Sequence, residues 1–242
     1  MRRPRPARTP LTLAGMTIDA VFFDVGEVLV DETREYGTWA DWLGIPRHTF
    51  SAVFGAIVAQ GQDYRETFQV FQPGFDLATE RKRRAEVGQP ESFGEIDLYP
   101  DVRPCLGELR AQGLTVGVAG NQTARAEDIL RELELPIDVL GTSDSWDAEK
   151  PSTAFFERLI VEAGVPAERI LYVGDRLDND IRPAAELGIS TAVVRRGPWG
   201  HILREATAQR VLDADVEQWC LFQLDGLADL PSLVRRHNLQ TG

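Results

Sequence analysis

Ile18-Asp19-Ala20-Val21-Phe22-Phe23-Asp24-Val25-Gly26-Glu27-Val28-Leu29 is the stretch whose reading decides the architecture. Its first six residues are β-branched, aromatic and apolar apart from one acid, the composition of a strand buried on both faces. Asp24-Val25-Gly26 ends the run in a tight turn, so an acid stands at the carboxyl end of that strand. Downstream, apolar runs alternate with helical patterns. A helix runs from Asp101, placed to cap it, to Gln112, and is followed by the strand Leu114 to Ala119. Then come a helix over Thr123 to Glu132, a short strand near Ile137 to Leu140 and a helix over Ser152 to Ala163. The strand Ile170 to Val173, a helix near Ile181 to Leu187 and the strand Ser190 to Val194 complete the series. Such alternation predicts an α/β fold, a doubly wound parallel sheet with helices on both faces.

One segment interrupts the alternation. Between about residues 31 and 97 no comparable strand occurs. Trp39, Trp42, Leu43, Phe50, Phe54, Ile57, Val58, Phe68 and Phe71 recur there at helical intervals, punctuated by Gly44-Ile45-Pro46, Gly61 and Pro73-Gly74. The reading is a small helical domain inserted after the first strand, with its aromatics as its own core. The α/β core then spans 17–30 and 98–242.

Composition bounds the function. The chain has 242 residues, with 26 Lys+Arg against 38 Asp+Glu, a formal charge of −12. Nucleic acids and anionic membrane surfaces bind mainly through basic patches, so neither is an expected partner. Apolar runs fall well short of the ~20 residues that cross a bilayer. Cys105 and Cys220 form no metal-ligand pattern or disulfide framework, which fits a reducing, cytoplasmic setting. Arg2, Arg3, Arg5 and Arg8 precede any acid, but no apolar stretch of signal-peptide length follows them. Residues 1–16 are therefore read as a disordered tail, with Met16 an alternative start of translation.

In open parallel sheets, ligands bind outside the carboxyl ends of the strands. Those ends carry Asp24, Gly120-Asn121 and Gly174-Asp175-Arg176-Leu177-Asp178-Asn179-Asp180, and Lys150-Pro151 precedes the intervening helix. Paired acids at adjacent strand ends suit Mg²⁺, a hard cation that takes one or two carboxylates and completes its shell with water and substrate phosphate. Lysine adds a fixed positive charge for an anionic group. A carboxylate beside such a metal can itself act as nucleophile and form an aspartyl-phosphate. No Gly-x-Ser-x-Gly, P-loop or dinucleotide fingerprint occurs, and His48, His201 and His237 are too scattered for a zinc site or a triad. Arg195-Arg196-Gly197-Pro198-Trp199-Gly200 reads as a surface loop whose Trp covers the sheet edge.

Phe22-Phe23-Asp24-Val25-Gly26-Glu27-Val28-Leu29, Gly120-Asn121, Lys150-Pro151 and Gly174-Asp175 through Asp180 resemble, in order, the four motifs of the haloacid dehalogenase-like (HAD) hydrolase superfamily. The resemblance covers roughly residues 17–232. It implies a Rossmann-like core, and residues 31–97 match the place of the family's helical C1 cap. It further implies Asp24 as nucleophile and Asp175 as a Mg²⁺ ligand. Lys150 would steady nucleophile and phosphate, and Asp180 would be a metal ligand or an acid behind it. The expected function is a Mg²⁺-dependent phosphatase of a small phosphorylated metabolite. The alternatives are a non-catalytic phosphate- and metal-binding protein or a metal-independent 2-haloacid dehalogenase, against which Asp175 argues.

Two positions depart from the family pattern. Where its phosphatases carry a second aspartate, two residues after the nucleophile, this chain has Gly26, which retains only a backbone carbonyl to offer a metal. Loss of general acid/base help costs ~10²–10⁴ in rate. Glu27 is the nearest surrogate, with Asp31 and Glu32 at the entrance to the insert as further candidates. Gly120 stands where the family has Ser or Thr to bind the phosphoryl group, leaving Asn121 and backbone N–H groups for that task.

Overall fold

The computed structural model describes residues 16–205 and 219–242, the side chains of 203–205 excepted. The expected tail lies outside them, apart from Met16. Among the described residues, β1 (Ala20–Phe23), β2 (Thr115–Gly120), β3 (Val139–Thr142), β4 (Ile170–Gly174), β5 (Ser190–Val194) and β6 (Phe222–Leu224) form one sheet in the order β3-β2-β1-β4-β5-β6. Every pairing is parallel. β1 lies at the middle because its side chains suit burial on both faces. Val21 and Phe23 join one apolar cluster with Val102, Leu106, Leu109 and Val234, and Ala20 and Phe22 join another with Phe155, Phe156 and Leu159. Each large side chain so buried contributes about 1.5–3 kcal/mol.

Helices cover both faces. The first cluster receives α5 (Val102–Ala111) and α11 (Leu230–Thr241), and the second receives α8 (Thr153–Ala163). Between β2 and α8 run α6 (Ala124–Glu132) and α7 (Ser143–Trp146). The hydroxyls of Thr123 and Ser152 cap α6 and α8, accepting hydrogen bonds from the N–H groups of Ala126 and Phe155. Asp101 behaves otherwise than expected. It makes no side-chain cap on α5 and instead pairs with Arg196 at 3.0 Å and accepts the Leu227 N–H at 2.7 Å. A guanidinium brought up from the far end of the chain outcompetes the local helix end.

Gly117 lies opposite Phe22 across the β1/β2 pairing. A Cβ on Gly117 would sit 2.2 Å from the Phe22 ring, so the ring occupies space that only a glycine leaves. Overpacking of this kind costs about 1–3 kcal/mol. Gly117→Ala is expected to lower the thermal midpoint by roughly 2–12 °C, at about 2–4 °C per kcal/mol for a chain of this size. An unchanged melt would show that the Phe22 ring has room to move.

Four helices fill the stretch expected to be helical: α1 (Thr33–Leu43), α2 (Arg47–Ala59), α3 (Glu66–Phe71) and α4 (Leu77–Glu86). Their core is the expected aromatic one, Trp39, Phe50, Phe54 and Phe68, joined by Phe75. Trp199, at the start of α10 (Gly197–Glu205), completes that cluster instead of covering the sheet edge, packing edge-on against Phe54 at 5.3 Å. The expected helix near Ile181 begins earlier, as a wide π turn over Leu177–Ile181, before α9 (Arg182–Glu186). β6 and α11 extend the architecture beyond the sequence reading. Among the described residues no helix is long and apolar enough to cross a membrane.

Candidate active site

The carboxyl ends of β1, β2 and β4 lie side by side, which brings the motif residues together. The N–H of Asp24 continues the β1/β4 pairing by donating to the Val173 carbonyl at 2.9 Å, fixing the first residue past β1 against the end of β4. Lys150 Nζ lies 2.8 Å from Asp24 Oδ1 and 2.6 Å from Asp180 Oδ1. The lysine stem is buried, its ammonium 5.6 Å from the centre of the Tyr172 ring. Burial alone would lower the Lys150 pKa, but the carboxylates of Asp180 and Asp24 outweigh it and hold the ammonium charged well above the ordinary lysine range.

Asp180 is fully buried and doubly engaged. Its Oδ1 takes Lys150, and its Oδ2 accepts the backbone N–H groups of Asp175 at 3.2 Å and Arg176 at 3.0 Å. The π turn makes this possible by carrying the chain back toward the strand end, its Ile181 N–H donating to the Arg176 carbonyl. Gly174 makes room for it, since a Cβ there would sit 2.4 Å from the Asp180 Cβ. Asp175 is the opposite case. Its Oδ2 is buried without a hydrogen-bond partner.

An orphaned buried carboxylate oxygen is costly unless a cation meets it. Asp24, Asp175 and Asp180 each offer an oxygen within 4.8 Å of the others, a set of hard donors that fits Mg²⁺. Burial, then the neighbouring Asp180 carboxylate and that of Asp24, raise the Asp175 pKa well above the ordinary range. Asp24 is raised by burial, opposed by Lys150. The wider cleft, about 570 Å³, is lined by eight carboxylates and only four cations, Arg65, Arg81, Lys150 and Arg176. A phosphate group entering so acidic a cleft needs further positive charge.

The second-strand motif plays a framing part. The Asn121 amide clasps the Lys150 backbone, donating to its carbonyl at 2.9 Å and accepting its N–H at 2.7 Å. Asn121 lines the cleft, with Gln122 and Thr123 beyond it, whereas Gly120 is buried and does not. A Cβ on Gly120 would lie 2.5 Å from Asp24 Oδ1, so the Asp24 carboxylate occupies the room that a serine or threonine would claim.

The candidate surrogate acids part company. Glu27 has a left-handed backbone, φ 55°, that turns its side chain away from the cleft. Its carboxylate accepts the Tyr99 hydroxyl at 2.6 Å and packs on Gly197, where a Cβ would meet Glu27 Oε2 at 2.4 Å. Burial raises the Glu27 pKa against the pull of that hydrogen bond. Glu27, the expected surrogate acid/base, borders a different cavity, beside Tyr99 and His201. Asp31 borders that cavity too and caps the Thr33 N–H. Glu32 lines the cleft with Asp24 and Gly26, its pKa pushed up to about 8 by burial and then by Glu27, Asp24, Glu35 and Glu91.

Among the other lining residues, those of the helical insert were not singled out by sequence. Arg65, Arg81, Tyr36 and Tyr64 come from the helical insert, and Arg176 stacks on Trp199 at 5.2 Å. Helical spacing marked which insert residues pack inward, but nothing in it marked which face looks down on β1.

A family model described as haloacid dehalogenase-like hydrolase matches residues 18–188. A glyceraldehyde 3-phosphate phosphatase of Methanocaldococcus jannaschii is 38% identical over 104 residues, 42% of this chain and 46% of that protein, so the match spans about half the relative's length. Another of that name, from Pyrococcus furiosus, is 27% identical over 237 residues, 91% of this chain and 95% of that protein. The structure of a HAD phosphatase from Thermococcus onnurineus shares the fold with a TM-score of 0.55 at 20% identity, covering 90% of this chain and 98% of that one. With the family model extending from the first residues of the β1 run to past the Asp175 loop, this chain belongs to the haloacid dehalogenase-like hydrolases.

Proposed function

We propose that the chain is a Mg²⁺-dependent phosphatase of a small phosphorylated metabolite, working through an aspartyl-phosphate on Asp24. The observation that carries the reading is Asp24 held by Lys150 at the floor of the cleft, beside the unpartnered buried oxygen of Asp175. Relatives named as phosphatases support the reaction class. A cleft of about 570 Å³ suits a metabolite-sized ligand.

Asp24 and Asp175 would hold the Mg²⁺, which when bound neutralises phosphate charge and polarises the phosphorus toward attack. Asp180, with both oxygens already committed, fixes Lys150 and the Asp175 loop. Lys150 orients the Asp24 carboxylate and adds positive charge where the phosphoryl group must approach. Asn121 holds Lys150 in register. The helical insert over 31–97 serves as a cap whose closure excludes water from the first step, with Trp199 as a contact shared between insert and core.

Mg²⁺ is expected to raise the thermal midpoint of the wild type and to switch on hydrolysis of p-nitrophenyl phosphate. Asp175→Asn loses the Mg²⁺-induced shift while folding normally in its absence. Hydrolysis that is equally fast in EDTA would overturn the metal assignment, and metal binding with no hydrolysis would favour a non-catalytic binding protein. A metal-independent dehalogenase gains nothing from a buried Asp175 oxygen that awaits a cation.

A further inference from the structure

We propose that Glu32 is the general acid and base of this site, delivering from the entrance of the helical insert the carboxylate that position 26 lacks. The proposal rests on the phosphatase reading and supplies the residue that completes it. A Cβ built on Gly26 would lie 2.7 Å from Glu32 Oε1, 2.8 Å from its Cδ and 3.0 Å from its Oε2. The Glu32 carboxylate therefore fills the volume in which a side chain at position 26 would begin, two residues past the nucleophile. It lines the same cleft as Asp24, which neither Glu27 nor Asp31 does: their carboxylates accept the Tyr99 hydroxyl and the Thr33 N–H and border another cavity.

No structural duty accounts for that placement. Glu32 is the N-cap residue of α1, yet its side chain makes no cap hydrogen bond. Among the described residues its carboxylate has no hydrogen-bond donor and no ion-pair partner, whereas Glu35 on the next turn is paired with Arg84. A long side chain reaching from six residues beyond Gly26 thus arrives at the start of the missing one, and the glycine is what lets it in.

The steps balance. In the first, an Asp24 oxygen attacks phosphorus, the bond from phosphorus to the substrate oxygen breaks, and protonated Glu32 gives its proton to that leaving oxygen. An alcohol, the aspartyl-phosphate and the Glu32 carboxylate result. In the second, the Glu32 carboxylate takes a proton from a water whose oxygen attacks phosphorus. The bond from phosphorus to Asp24 breaks, releasing phosphate and restoring both residues.

The test is Glu32→Gln with Mg²⁺, assayed on p-nitrophenyl phosphate, whose phenolate leaves without a proton, and on glycerol phosphate, whose alkoxide does not. Steady-state turnover is expected to fall by ~10²–10⁴ on both. With p-nitrophenyl phosphate a stoichiometric burst of nitrophenolate should persist, with phosphoenzyme accumulating by intact-protein mass. The burst should be absent with glycerol phosphate, a split that mere structural damage would not produce. Glu32→Ala should be similarly slow, and Gly26→Asp added to it should restore turnover, because the alanine vacates the volume the new aspartate needs. Asp31→Asn serves as the neighbouring control and should turn over like wild type. Glu32→Gln within threefold of an active wild type on both substrates would overturn the proposal and leave the phosphatase reading standing. A wild type inactive on both substrates would overturn that reading and the proposal with it.

Discussion

Asp24→Asn should lose at least ~10³-fold of the Mg²⁺-dependent turnover of p-nitrophenyl phosphate, and it should do so without loss of stability. Asparagine matches aspartate in size but offers no anionic oxygen to attack phosphorus, so the phosphoenzyme cannot form. The fold tolerates the change because Lys150 keeps Asp180 as a partner at 2.6 Å. The substitution also relieves the burial and the Asp180 repulsion that raise the Asp24 pKa in the wild type. The thermal midpoint should therefore stay level or rise, as often happens when a strained active-site group is removed. Wild-type turnover in Asp24→Asn would remove this residue as nucleophile. A collapsed melt would mean that Asp24 is chiefly a structural partner of Lys150.

Lys150→Met is the complementary case, in which stability suffers most. The ammonium is shared by Asp24, 8% exposed, and Asp180, which is not exposed at all. Methionine fills the channel past Tyr172 and Phe155 but leaves both carboxylates without a counter-charge. Breaking a buried pair in this way costs about 3–5 kcal/mol, which at about 2–4 °C per kcal/mol lowers the midpoint by roughly 6–20 °C. Asp180→Asn in the same chain should recover part of the loss by removing one stranded charge.

The pH dependence has a definite sign. Without Lys150 the Asp24 carboxyl, already raised by burial, binds its proton more tightly folded than unfolded. Where the folded state holds more protons, stability falls as pH rises, so the deficit of Lys150→Met relative to wild type should shrink on acidification. A variant melting within about 2 °C of wild type at neutral pH would show that water reaches these carboxylates and solvates them, against the small shift expected for exposed pairs alone.

Much of the site was legible because strand ends are local events. The apolar run to Phe23 and the break after it place Asp24 at a strand end, and the same reading places Asn121 and Asp175. Spacing alone did not distinguish the roles of Asp175 and Asp180. Asp180 is committed to Lys150 and two backbone N–H groups, and Asp175 keeps a free oxygen, only because a π turn folds one back under Gly174. The two glycines that looked like losses are read differently in three dimensions. Gly120 yields its side-chain space to Asp24, and Gly26 yields its own to Glu32.

By itself, the sequence determined the alternation of strands and helices from β1 to β5, the helical character of residues 31–97 with their aromatic core, and the placing of acids and a lysine at the carboxyl ends of the strands. These follow from short-range patterns, since a strand buried on both faces needs an unbroken apolar run and a helix needs apolar residues three and four apart. Only the tertiary structure decided where each side chain past a strand end points. Glu27 is one residue beyond Gly26 yet faces Tyr99 and Gly197, while Glu32, six residues beyond, returns to the cleft. Asp101 forsakes its helix for Arg196, and Trp199 turns from the sheet edge to the insert, for the same reason. A single backbone dihedral after a strand sends a side chain to either side of a loop, and the partner that stabilises one choice lies tens of residues away in the chain.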